Sequence, residues 1–236
     1  MKVEIWSDIM CPFCYIGKRR FEAALEQFPD KGHITVEWKS FQLNPSLKSQ
    51  PGKNVYDYVA ELKGQSREWS VAMHEQLAGT AREVGLTYNF DKAVIANSFD
   101  AHRLIQLAKK HQLGDAAEER LFIAYFTEGK DVSNQETLLE LGVELGLDRA
   151  EVSAALASGE YATAVNQDGH EAEQLGIRGV PFFVLDRKYG VSGAQPVEAF
   201  TQALSQAFAE WKQSQPAIVE LDNLSGQVCT PDGDCK

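Results

Sequence analysis

Residues 7–20 read SDIMCPFCYIGKRR and place Cys11 and Cys14 two residues apart, with Pro12 and Phe13 between them. Upstream, Val3 to Trp6 is a short strand-forming run; downstream, Phe21, Ala24, Leu25 and Phe28 recur at helical spacing. The cysteines therefore fall where a strand ends and a helix begins. Pro29-Asp30-Lys31-Gly32 breaks that helix, and Ile34, Val36, Trp38 and Ser40 then alternate with Thr35, Glu37 and Lys39 as a second strand does. Together these segments predict one βαβ unit.

A CxxC pair can be a metal clip, a crosslink or a redox centre. Structural zinc takes four ligands and this motif supplies two, while Cys229 and Cys235 at the far end are spaced more widely than zinc ligands usually are. No metal is expected. A permanent crosslink over so short a loop would constrain the unfolded chain little. Redox chemistry uses what the position offers: at a helix N-terminus, unpaired N–H groups and the helix dipole favour the thiolate, which is the attacking species. Cys11 is then the nucleophile, and Cys14, one turn further in, resolves the mixed disulfide. Pro12 suits a first helical turn, where a missing N–H costs nothing.

From about Val55 to Leu175 the periodicity is helical. Trp69, Met73, Leu77 and Val84 form one stripe, and Leu104, Ile105, Leu107 and Ala108 another. Further helices are marked by Leu121, Phe122, Tyr125 and Phe126, by the leucines between Leu138 and Leu147, and by Asp148 to Ala157 with Asp148 as N-cap. Four to six helices are expected, their stripes forming a core; the alternative for Phe122, Tyr125 and Phe126 is a pocket lining. After Gly179, Val180 to Leu185 reads as a buried strand, Tyr189 to Gly193 as a second, and Pro196 to Trp211 as an amphipathic helix. Residues 214–236 lack periodicity and read as a tail.

The chain has 236 residues and a net charge of −11, with only short basic clusters, among them Lys18-Arg19-Arg20 and Lys109-Lys110. It lacks the clustered positive charge that nucleic acid or an anionic membrane surface rewards. The longest uncharged stretch, Ala199 to Ala209, is eleven residues, well short of the roughly 20 that span a bilayer. The opening MKVEIWSD has no apolar run of a secretory signal, so a cytoplasmic location is expected.

Four stretches occur in order over residues 1–211: SDIMCPFCYIGKRRFE, FQLNPSL, ANSFDAHRL and LGIRGVPFFVLDRKYGVSGAQP. Their combination resembles the thioredoxin superfamily and, within it, DsbA-like oxidoreductases of the FrnE type. The resemblance implies an α/β protein: a thioredoxin fold (residues 1–54 and 176–213) split by a large inserted all-helical domain (55–175), with a tail over 214–236. It also implies a dithiol–disulfide oxidoreductase that needs no organic cofactor. Its partners would be protein thiols and disulfides, or small thiols such as glutathione. Val180-Pro181 would be the cis-proline dipeptide of that family, its Val180 backbone turned toward Cys11 to pair with a substrate strand.

One departure concerns Phe13, where many DsbA-type sites carry histidine and FrnE-type sites often carry tryptophan. Phenylalanine neither donates a hydrogen bond nor carries charge, so a less oxidising couple is expected. In the tail, Pro231-Asp232-Gly233 is turn chemistry that could bring Cys229 near Cys235. They are either passive thiols or a crosslink, or a second redox pair that exchanges with the first. Two other functions stay open: a glutathione-dependent isomerase or transferase of the kappa-like group, and a chaperone-like peptide binder. The kappa-like sites usually carry a single serine or cysteine nucleophile, so Cys14 is the discriminating residue. Asp8 is read as a helix cap or proton relay, His102 as a surface or hydrogen-bonded histidine, and Lys18, Arg19 and Arg20 as a solvated helix face. None of these is assigned to catalysis.

Overall fold

The computed structural model describes residues 1–215. Strand β1 (Lys2–Ser7) leads through the cysteine loop into α1 (Pro12–Glu26) and on to β2 (Thr35–Ser40). Seven helices follow among the described residues: α2 (Val55–Lys63), α3 (Arg67–Glu83), α4 (Phe99–Lys110), α5 (Gly114–Phe122), α6 (Gln135–Glu144), α7 (Arg149–Ala157) and α8 (Ala162–Gln174). The chain then returns as β3 (Phe182–Leu185), β4 (Tyr189–Ser192) and α9 (Val197–Ser214).

The strands form a sheet in the order β2-β1-β3-β4, with β1 parallel to β2 and antiparallel to β3, and β3 antiparallel to β4. Alternation along β1 sends Val3 and Ile5 to one face, where they join Phe183 and Leu185. That face is covered by Phe21, Ala24 and Phe28 of α1 and by Phe200, Leu204 and Phe208 of α9. Trp6 and Val184 point to the other face, against Ala172 of α8 and Ile177. The buried Trp6 indole donates to the Asp168 carbonyl at 2.9 Å, so its polar edge is satisfied there. This is a thioredoxin fold carrying a helical insertion between β2 and β3.

The count of inserted helices exceeds the four to six expected. α2 buries only Val55 and Ala60, and α8 only Val165, Asp168 and Ala172, so neither shows an apolar stripe in the sequence. The stripe expected on α3 is also rotated. Trp69 is exposed, while Ser70, His74, Leu77 and Ala81 face inward. The His74 ring packs edge-on against Tyr56 and Phe90, at 5.1 and 4.6 Å, so a polar residue occupies an apolar position. Asp148 does cap α7, accepting from the Glu151 N–H.

Helix α5 runs into a π-helical turn, Ile123–Glu128, which ends at Gly129 with φ 69°. Such wide turns recur at functional sites. Here the turn contributes Tyr125 and Phe126, with Phe126 stacked on Tyr88 at 4.6 Å.

α1 is fastened to the insertion along one side. Tyr15 stacks on Phe122 at 4.7 Å and 9°, and its hydroxyl donates to Glu119 at 2.5 Å. Lys18 is not solvated, as a basic run on a helix suggests, but only 2% exposed. Its ammonium pairs with Glu22, Asp115 and Glu119 and lies 5.6 Å over the Trp38 ring. Arg19 pairs with Glu22 and Glu119, and Arg20 donates to the Ala194 carbonyl at 2.7 Å. Lys18 and Arg19 thus tie α1 to the insertion, and Arg20 ties it to the segment after β4.

Candidate active site

Cys11 is the N-cap of α1, with extended backbone (φ −93°, ψ 110°) and Pro12 directly after it. The loop before it is a tight turn in which the Cys11 N–H donates to the Asp8 carbonyl at 2.9 Å. The Cys11 thiol donates to the Val180 carbonyl at 3.6 Å, across 169 residues of sequence. The Val180–Pro181 peptide bond is cis. Close approach of this loop depends on Gly17: a Cβ there would lie 2.9 Å from Pro181 Cγ.

Cys14 is buried one turn into α1, and both cysteines are free thiols. Burial pushes the Cys14 thiol well above its ordinary range, helped by a hydrogen bond and charge from Cys11. The Asp8 backbone and the Ser7 side chain act in the opposite direction.

Beneath the pair sits a buried group of acids and bases. Asp8 accepts from the Met10 and Leu43 N–H groups at 3.1 and 2.7 Å, which ties the cysteine loop to the segment after β2. It orders the loop and is not a helix cap, because α1 already has Cys11 as its N-cap. His102 of α4 is 1% exposed, with Nε2 3.6 Å from Asp8. His102 is thus not at the surface but buried and paired with Asp8. Burial lowers its proton affinity, but Asp8 and Glu118 outweigh this and raise it.

Glu118 of α5 is 2% exposed. Burial pushes its carboxyl up to about 7, against the opposing effects of His102, Ser7 and Lys18. The folded protein therefore holds a proton here that the unfolded chain releases near 4.5. The corresponding stability is fully present below that value and is lost as pH rises through about 7. Glu118→Gln keeps the shape and removes the charge. Its thermal midpoint is expected to exceed that of the parent at about pH 8 and to match it near pH 4.5. Equal midpoints at the higher pH would show that no buried carboxyl ionises there.

A cleft of about 560 Å³ opens beside Cys11, between the cysteine loop and the insertion. Its walls include Met10, Leu47, Val59, Met73, Leu77, Tyr125 and Phe126, so two of the three aromatics read as core or pocket serve as both. Phe13, Leu43 and Leu62 line it too and are 50–60% exposed. Lys63 is the one lysine or arginine among the described lining residues. Tyr88 closes the floor of the loop by donating to the Pro12 carbonyl at 2.7 Å.

The structure thus brings together Cys11, Cys14, Pro12, Phe13, Val180 and Pro181. Cys229 and Cys235 lie outside the described residues. Among the described residues no three His, Cys, Asp or Glu side chains gather as metal ligands, and no helix is long and apolar enough to cross a membrane. Ser7, Gly17, Tyr88 and Glu118 were not singled out in the sequence. For Glu118 a signal existed, since it precedes Leu121 and Phe122 by three and four residues and so falls on their stripe.

The sheet, its helical insertion and a CxxC helix facing a cis-proline define the class: thioredoxin-fold disulfide oxidoreductases and related isomerases. Residues 2–205 match the DSBA-like thioredoxin domain, and the chain belongs to that family. It is 30% identical over 206 residues to the uncharacterized protein YwbO of Bacillus subtilis (strain 168), covering 86% of this chain and 95% of that one. A probable DsbA oxidoreductase from Streptomyces coelicolor is 43% identical with a TM-score of 0.85, covering 100% of this chain and 98% of that one. The cytosolic disulfide reductase DsbM from Pseudomonas aeruginosa shares the fold at 22% identity and a TM-score of 0.59, over 89% of this chain and 100% of that one.

Proposed function

We propose that the protein is a dithiol–disulfide oxidoreductase in which Cys11 exchanges with a substrate disulfide and Cys14 resolves the product. The observation that carries this reading is the Cys11 thiol at the mouth of the cleft, 3.6 Å from the Val180 carbonyl, with Cys14 buried behind it. In the reducing direction, the Cys11 thiolate attacks one substrate sulfur, the substrate S–S bond breaks, and one substrate thiolate leaves. Cys14 then attacks Cys11, releasing the second substrate thiol and forming a Cys11–Cys14 disulfide. Two electrons pass from protein to substrate, and the same steps in reverse oxidise a dithiol.

The cleft supports a protein segment with apolar side chains as substrate. Glutathione carries two carboxylates and an ammonium, and such a cleft with one lysine offers these charges little. An extended segment could pair with the Val180 backbone while its side chains enter the cleft. The second thiol, Cys14, supports this reading over an isomerase with a single nucleophile.

Phe13 is half exposed and offers no polar group to the thiolate. The couple is therefore expected to lie well below the about −120 mV of the strong periplasmic oxidant. Titration against glutathione buffers measures it; a value as high as that oxidant's would overturn the expectation of a less oxidising couple. The same reading places the protein in the cytoplasm, whose thiol pool keeps such a pair reduced, and cell fractionation checks this.

Gly17 gives a second test. Gly17→Ala forces Pro181 away from α1. Disulfide exchange is expected to fall about 10- to 100-fold, the scale of ångström misplacement at a reacting centre. Unchanged turnover would mean that the cis-proline loop does not position substrate.

A further inference from the structure

The stretches FQLNPSL (41–47) and ANSFDAHRL (96–104), far apart in sequence, meet beside the cleft. Residues 41–50 follow β2 as a loop, and none of them is buried. Leu43, Asn44 and Leu47 line the apolar cleft next to Cys11, whereas Gln42, Pro45 and Ser49 line a separate polar groove. The loop is thus a partition between two cavities. With no buried side chain to anchor it, hydrogen bonds set its position.

Asn97 supplies four of them. Its side-chain NH2 donates to the carbonyls of Leu47 and Pro45 at 2.8 and 3.2 Å, and its Oδ1 accepts from Gln42 Nε2 at 3.0 Å. Its backbone N–H donates to Ser49 Oγ at 2.9 Å. Oδ1 also accepts from the Phe99 N–H at 2.8 Å, so both donors and both lone pairs of the amide are used. A backbone N–H only donates and a carbonyl only accepts, which gives the amide one orientation. Asn97 is itself fixed at the entry to α4, between the buried Ala96 and Ser98. The loop is tied again on either side, where the Leu43 N–H donates to Asp8 and the Gln50 N–H to the Ile95 carbonyl, each at 2.7 Å.

We propose that Asn97 is a positioning residue that sets the wall of the cleft, and with it the preference of Cys11 for disulfides in apolar peptide segments over small disulfides. A segment that fills the cleft meets Leu43 and Leu47 on this wall, so its binding depends on where Asn97 holds them. A small disulfide reaches Cys11 at the mouth without that contact. Once the wall is released, a segment must order it on binding. The cost falls on affinity and leaves the reacting geometry at Cys11 as it was.

The assignment rests on the oxidoreductase reading, and two probes separate them. Full-length reduced protein carrying Cys229→Ser and Cys235→Ser is mixed with 5,5′-dithiobis(2-nitrobenzoate), or with a leucine-flanked cysteine peptide joined by a disulfide to the aromatic thiol of that reagent. Attack of Cys11 on the peptide sulfur forms the Cys11–peptide bond and releases the coloured thiolate, so one signal reads both probes. Asn97→Ala is expected to raise the half-saturating peptide concentration about 10-fold, the scale of ordering one residue on binding. The saturated rate and the rate with the small reagent should not change. Asn97→Asp keeps the acceptor for Gln42 and Phe99 but turns an oxygen toward the Pro45 and Leu47 carbonyls, and should do at least as much. Gln42→Ala and Ser49→Ala each remove one bond from the loop side and should raise the concentration about 2- to 3-fold. These two decide the matter if the Asn97 variants fail to fold.

An unchanged half-saturating concentration in these variants, or an equal loss with both probes, overturns the role of Asn97 alone. A parent that reacts with the small reagent but does not saturate with the peptide overturns the cleft as a segment site and the role of Asn97 with it. A parent that reacts with neither overturns the oxidoreductase reading.

Discussion

Cys11→Ser is expected to lower disulfide exchange by about 10³-fold or more, as removal of a nucleophile does in enzymes that work through one. Cys14→Ala should behave differently. It leaves the N-cap thiol and the cleft intact and removes the only described sulfur able to displace substrate from Cys11. The mixed disulfide then accumulates, and non-reducing electrophoresis with mass spectrometry of the captured species reads out both its presence and its identity. Proteins with apolar segments flanking the captured cysteine would match the cleft lining; glutathione alone would favour the kappa-like alternative. A Cys11→Ser, Cys14→Ser double variant that retained full cellular activity would sink the redox reading and leave a peptide binder. The asymmetry between the single variants is the sharper test, because a damaged fold would lower both alike.

Much of this site was legible because its first half is local. A strand, two cysteines and a helix are adjacent in sequence, and the position of Pro12 within the first turn follows from its missing N–H. The other half was legible only through resemblance. Val180 and Cys11 are 169 residues apart, and no periodicity links them. What escaped were charges that the fold buries. Lys18 reads as part of a basic helix face until Asp115 and Glu119 of α5 arrive to pair with it. Glu118 sits on an apolar stripe, but a carboxylate there is ordinarily taken for solvent because isolated burial is so costly. Only the company of Ser7 and His102, from β1 and α4, makes its position intelligible. His74 misled in the same way, filling an apolar position on α3 and rotating the stripe.

The second large effect concerns stability. Arg103→Ala is expected to destabilise the protein by about 3 kcal/mol, the lower end of the cost of breaking a buried charged contact. Arg103 is 6% exposed on α4 and donates to the carbonyls of Ala155, Leu156 and Ser158, and to Asp100 at 2.8 Å. α7 ends at Ala157 with Ser158 extended, so its last carbonyls have no partners further along the helix. The planar guanidinium serves several of them at once, which a lysine ammonium on a flexible stem does poorly. Arg103→Ala leaves the Ser158 carbonyl without its donor and the Ala155 and Leu156 carbonyls with only the long bonds from the Ser158 hydroxyl (3.3 Å) and Gln135 (3.5 Å), at roughly 1–3 kcal/mol for a group left buried and unpaired. For a chain of this size about 3 kcal/mol corresponds to a fall of roughly 6–12 °C in thermal midpoint. Arg103→Lys should recover only part of it. A drop within experimental error would show that water satisfies the end of α7 equally well. Because Arg103 makes no contact with Cys11, disulfide exchange should keep its rate well below the midpoint, separating this anchor from the thiol chemistry.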